Sequence, residues 1–132
     1  MSITNQDQLR QAISAILKKH GAFFAFSKAQ YNQNAKPGVI YERTSSGMIA
    51  PKGESAKVMR LISEAADALR TYELKTQDAQ TIMRRVFAIY ECQIDGNPND
   101  ALYDLHAYGF SDEQIAEGFK KYMAYCVEHD LF

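Results

Sequence analysis

The chain has no Trp, only two Cys and three Pro, and no apolar run long enough to cross a bilayer. Each scarcity removes a class of protein. A spanning helix needs roughly 18 or more consecutive apolar residues, so the expectation is a soluble cytoplasmic protein with no membrane partner. The opening MSITNQDQLRQ lacks the basic-then-apolar order of a secretion signal. Cys92 and Cys126 both fall on apolar faces of expected helices, where thiols act as small hydrophobes in a reducing compartment. No phosphate loop, metal-ligand spacing or nucleophile beside a base is present. No cofactor, metal or catalytic residue is therefore expected, and a non-enzymatic protein is the leading reading.

What is present suits a globular domain. Of 132 residues, 46% are hydrophobic, enough to fill a core, and the 23% charged content argues against disorder. The net charge of -1 hides an asymmetry. Residues 1–53 carry seven Lys/Arg against two Asp/Glu, whereas residues 91–132 carry two against nine. Such a gradient bears on partners rather than on fold.

The stretch His20 to Lys52 is the part of the chain that does not read as long helix. Before it, Leu9, Ala12, Ile13, Ile16 and Leu17 mark a helix from about Asn5 to His20, with Thr4 and Asp7 in a capping-box pattern and Gly21 as its stop. Ala22-Phe23-Phe24-Ala25-Phe26 then reads as a strand covered on both faces. Ser27 with Gln30 starts a short helix. Val39 to Arg43 and Met48 to Ala50 read as hairpin strands around Thr44-Ser45-Ser46-Gly47, with Pro51 ending the pairing.

Beyond the hairpin, Val58, Leu61, Ile62, Ala65, Leu69 and Tyr72 lie on one helical stripe. Glu73-Leu74-Lys75 reads as a break, with Thr76 capping the next helix through Ile82, Met83, Val86, Phe87 and Tyr90. So short a joint favours two antiparallel neighbours. Ile94 to Asn99 reads as a loop, with Asn97 a cap and Pro98 at the first helical position. A short helix stops at Gly109, and Ser111 with Gln114 opens the last one. The expected fold class is α+β: a small three-stranded antiparallel sheet packed by two long helices, with a C-terminal helical extension. Residues 1–75 would form the core and residues 76–132 a three-helix unit packed on it.

Four candidate chemistries are weaker than their structural explanations. Asp95-Gly-Asn97-Pro-Asn99 starts like a calcium loop, but Asp100 and His106 stand where that loop needs Gly and Glu. His20, His106 and His129 lie on separate elements without ligand spacing. A small site near His20 and the 44–47 hairpin is the second alternative function. The first alternative is a helix-turn-helix regulator using residues 98–128, built on Gly109-Phe110-Ser111. Its leading edge is Asp112-Glu113, which would repel phosphates, so nucleic acid is disfavoured.

Tyrosine offers more. Tyr103, Tyr108 and Tyr125 fall off the main apolar stripes, near Asp104, Asp112, Glu113 and Glu117. Exposed Tyr among carboxylates suits docking of a protein partner with a basic face. These seven residues are the expected partner-binding set, with homodimerisation left open.

HGAFFAFSKAQY, followed by a Gly-led strand and GMIAPKGES, resembles a family of small phage- and plasmid-borne proteins of unknown function. The likeness rests on Phe23 to Phe26, Gln30 with Tyr31, and Gly47 to Lys52, and leaves the last three helices outside it. It implies an accessory gene of a mobile element, of a kind that often binds host proteins, and no catalytic residues. The expected function is thus a protein-binding accessory factor, such as an inhibitor of a host defence or nucleic-acid enzyme.

Overall fold

A computed structural model describes residues 2–132. The chain divides between Leu69 and Arg70 into two compact units. The first contains helix α1 (Gln6–Lys19), strand β1 (Phe23–Phe24), helix α2 (Lys28–Asn34), strands β2 (Tyr41–Arg43) and β3 (Met48–Pro51), and most of helix α3 (Ser55–Thr76). The second contains α4 (Ala79–Ile89), α5 (Cys92–Asp95), a 3-10 turn (Asn99–Ala101), α6 (Leu102–Ala107) and α7 (Asp112–His129). The fold is α+β, with a three-stranded antiparallel sheet. Among the described residues no helix is long and apolar enough to cross a membrane.

The sheet has the order β1-β3-β2. Phe23 pairs with Ile49 and Phe24 with Met48, while Tyr41, Glu42 and Arg43 pair with Pro51, Ala50 and Ile49. Side chains alternate across a pleat, which sorts the strands into two faces. Ala22, Met48 and Ala50 turn inward, against Ile16 and Leu17 of α1 and Val58 and Ile62 of α3. The two long helices also meet each other through Leu9, Ala12, Ala65 and Leu69. The opposite face carries Phe23, Ile49, Tyr41 and Arg43.

That opposite face corrects the sequence expectation for the phenylalanines. The strand exists, but it is not covered on both sides. Both long helices lie against one face, and only the short α2 is left for the other. Ala22 and Ala25 are buried and Phe23 is half-buried. Phe24 pairs with Met48 and so shares the helix side, but on the edge strand it is still 40% exposed, and Phe26, beyond the strand, is 73% exposed.

Several boundaries also shift. The cap of α1 is Asn5, whose side chain accepts from Gln8 N, and Gln8 Oε1 in turn accepts from Thr4 N at 2.7 Å. Pro51 does not end the hairpin: Lys52 N still donates to Ile40 O at 2.9 Å. Opposite Tyr41 no main-chain bond is due, because antiparallel pairs alternate between bonded and non-bonded. The nitrogen of Pro51 therefore leaves no gap in the ladder with β2. Glu73-Leu74-Lys75 is unbroken helix, since all three are tolerated there. The cap of α4 is Asp78, which accepts from Thr81 N, rather than Thr76. Glu91, at φ 51°, separates α4 from the short α5, which takes in Ile94 and Asp95.

In the second unit Phe87 is the centre of the core, with Ile82, Leu105, Ile115, Tyr122, Cys92 and Cys126 around it. Its ring meets Phe119 and Tyr122 at centroid distances of 5.3 Å each. Both thiols are free and buried. The capping box of Ser111 and Gln114 opens α7, as the sequence pattern required.

Candidate functional site

The uncovered sheet face holds a cleft of about 500 Å³, within the size range of ligand sites. The pleat aims Tyr41, Arg43 and Ile49 into it, and α2 contributes Lys28 and Tyr31. The helix is held there by its cap. Ser27 Oγ accepts from Gln30 N at 3.2 Å, and Gln30 Oε1 accepts from Phe26 N at 2.7 Å. Tyr31 and Tyr41 form the floor, edge to face at 6.0 Å, and Phe23 packs against both, edge to face with Tyr41 at 5.5 Å and tilted by 54° to Tyr31 at 6.1 Å. Phe26 forms the exposed rim.

The charge of the cleft is one-sided. Lys28 and Arg43 are exposed, and among the described residues no carboxylate pairs with either. The one acid lining the cleft, Glu42, is committed elsewhere: its Oε2 accepts from Ser55 Oγ at 2.8 Å and its Oε1 from Gly53 N. The Ser55 bond, then the Gly53 bond, hold the Glu42 carboxyl below the usual carboxylate range. Tyr41 Oη accepts from Lys36 N at 2.9 Å and keeps its own hydrogen to donate. The arrangement can hold a ligand that is apolar at its centre and anionic at its edges.

The seven residues expected to form an acidic, tyrosine-studded surface lie on α6, at its C-terminal end and along α7. Tyr103 is 87% exposed, as expected. Tyr108 and Tyr125 are half-buried instead, because the unit is small enough that its edges use them as core. Tyr125 lies under the Arg84 guanidinium at 4.6 Å and stacks on His129 at 4.1 Å. Asp104 accepts from Tyr90 Oη at 2.6 Å, which with burial pushes the Tyr90 phenol up. Asp112 contacts His106 Nε2 at 2.6 Å. Glu113 and Glu117 line a concavity of about 370 Å³ with Met83, Phe110, Gly118 and Lys121.

Sequence reasoning missed a polar cluster in this unit. Glu73 is 5% exposed; its Oε1 accepts from Tyr108 Oη at 2.7 Å and its Oε2 from Arg85 Nη2 at 2.6 Å. Burial, followed by the Glu73 bond, raises the Tyr108 phenol. The signal was a carboxylate four residues after Leu69 on its apolar stripe. No nucleophile accompanies the cluster, and its geometry is that of a clamp. His20, the residue considered for a small active site, meets Glu54 at 3.8 Å, and Thr44 Oγ1 meets Ser46 Oγ at 2.8 Å. Neither His20 nor Ser45 lines the aromatic cleft. Among the described residues no three His, Cys, Asp or Glu side chains are grouped to hold a metal.

A family model described as "Family of unknown function (DUF7659)" matches residues 5–125, spanning most of both units. No curated protein and no solved structure matches the chain.

Proposed function

We propose that this chain, which belongs to the family of unknown function DUF7659, is a protein-binding module whose partner occupies the aromatic cleft of the sheet. The observation that carries this reading is the charge imbalance: Lys28 and Arg43 stand over an aromatic floor with no carboxylate to neutralise them. Two like charges held beside an apolar wall favour an arriving anion, and the rings supply apolar contact. Binding is preferred to chemistry because Ser27 is spent on the cap of α2 and Glu42 on Ser55 and Gly53, which leaves the phenols of Tyr31 and Tyr41 with no base or nucleophile beside them in the cleft. Such a module suits the mobile-element accessory role that the likeness of the FFAF and GMIAPK segments implies, including inhibition of a host enzyme.

A second reading keeps the acidic surface as a dock for a basic partner, because Glu113 and Glu117 rim a concavity of their own. Selection from a random displayed-peptide library against the full chain separates the two. The first reading expects acidic sequences that Lys28→Glu with Arg43→Glu no longer retains. Enrichment of basic sequences lost on Glu113→Lys with Glu117→Lys would transfer the function to the second unit. Enrichment of neither would remove the binding proposal.

A further inference from the structure

We infer that the cleft's partner enters as an added β-strand, an extended acidic segment paired to the open edge of β2; this rests on the binding reading above. β2 has β3 on one side and no strand on the other. The ladder with β3 uses Ile40 and Thr44, through Lys52 N to Ile40 O and Thr44 N to Met48 O. Bonded and non-bonded pairs alternate along antiparallel strands. Tyr41 and Arg43 are therefore non-bonded toward β3, and their N–H and C=O groups point to the free edge. Unpaired edge groups of this kind are a template for another strand. Beside them, Ile40 is 72% exposed and Val39 is 39% exposed, which leaves apolar surface for an arriving strand to cover.

The same two residues turn their side chains into the cleft, so edge and cleft form one surface. A residue paired with Tyr41 or Arg43 shares its face of the sheet. An antiparallel addition thus places one partner side chain opposite Arg43 and the next but one opposite Tyr41. The fitting pattern is acid, any residue, then an apolar residue. Charge selects the occupant: between residues 21 and 53 the chain has Lys28, Lys36, Arg43 and Lys52 against Glu42 alone. Arg43 on the edge repels a basic strand and admits an acidic one.

Two other occupants fit less well. A second copy paired symmetrically about Glu42 would bring two Arg43 side chains to one short edge. Single-stranded nucleic acid is read by successive bases stacking on a row of open rings, whereas Tyr31 and Tyr41 are packed edge to face and the exposed ring of the cleft is Phe26 at its rim.

The test uses the full chain and a synthetic peptide of alternating Thr with a central Glu-Thr-Val. Amide hydrogen exchange is followed by NMR at Tyr41 and Arg43. Both amides are expected to exchange freely without peptide and to slow at least tenfold when it is saturating. N-methylation at the peptide's Glu or Val should weaken binding at least tenfold, and N-methylation at the Thr between them should leave it within twofold. Because the probe carries the change, the protein's own folding is undisturbed. Peptide binding that leaves both amides unprotected, or that tolerates methylation at Glu and Val, overturns strand addition while the binding reading stands. Failure of this peptide and of every acidic peptide overturns both. Amides protected without peptide in a dimer assign the edge to a second copy, and an oligothymidylate that protects them where the peptide does not assigns it to nucleic acid; either result overturns the inference.

Discussion

Tyr108 donates its phenolic hydrogen to Glu73 across 35 positions of sequence, at 2.7 Å, and Arg85 closes the cluster from the other carboxylate oxygen at 2.6 Å. A carboxylate that is 5% exposed needs both partners, since an unpaired buried charge costs several kcal/mol. Tyr108→Phe removes one of them and should cost about 1–3 kcal/mol. Glu73→Ala should cost at least as much, although the partial exposure of Arg85 lets water take up some of its charge. Urea unfolding of both single variants and the double should show a clearly non-additive cycle. Additivity would mean that the contact contributes little.

Gly47 is fixed by its backbone and by a ring. Its φ is +87°, and a Cβ there would stand 2.7 Å from Phe26 Cε1. Phe26 is largely exposed and can swing away, so the backbone is the greater cost, about 1–3 kcal/mol. Gly47→Ala should lower the melting temperature, and adding Phe26→Ala should restore less than half of the loss. Full restoration would show that the ring, rather than the left-handed turn, demands glycine.

Gly118 lies inside α7, where Ala would ordinarily add about 1 kcal/mol of helix stability. Here the added Cβ would fall 2.6 Å from the Sδ of buried Met83. Overpacking costs about 1–3 kcal/mol, so Gly118→Ala should destabilise slightly. In a Met83→Ala background the same change should stabilise. Equal signs in the two backgrounds, read by thermal unfolding, would contradict this packing account.

Glu42 ties β2 to the start of α3, and its folded pKa lies below the ordinary 4.5. Its stabilising contribution is therefore complete above that value and is lost as pH falls through the depressed one. Asp78, held low by the Thr81 N–H and hydroxyl, behaves likewise at the start of α4. Carboxyl-carbon NMR titration should place both below their unfolded values. Ser55→Ala should move Glu42 upward and leave Asp78 unchanged.

The local signals were legible because they act over a few residues. Ser27 and Ser111 cap their helices as their patterns required, and the Thr44 to Gly47 loop turns the hairpin. The stripe from Val58 to Leu69 buries against α1 and the sheet. Where several helix formers followed one another, as at Glu73 to Lys75, the sequence suggested a stop that the backbone had no reason to make. The tyrosines off the stripes looked exposed because periodicity measures a helix's main face, and says nothing of neighbours closing in at its edges.

The sequence by itself determined the elements and the acid-base gradient along the chain, because periodicity, caps and turn chemistry are properties of neighbouring residues. Only the tertiary structure decided which face of the sheet stayed open. Both long helices took the Met48 and Ala50 side, so Phe26 was left in water and Lys28, Tyr31, Tyr41 and Arg43 came to share one cleft. Coverage depends on how many elements are available to pack and on which side they land, and no single segment of the chain carries that information.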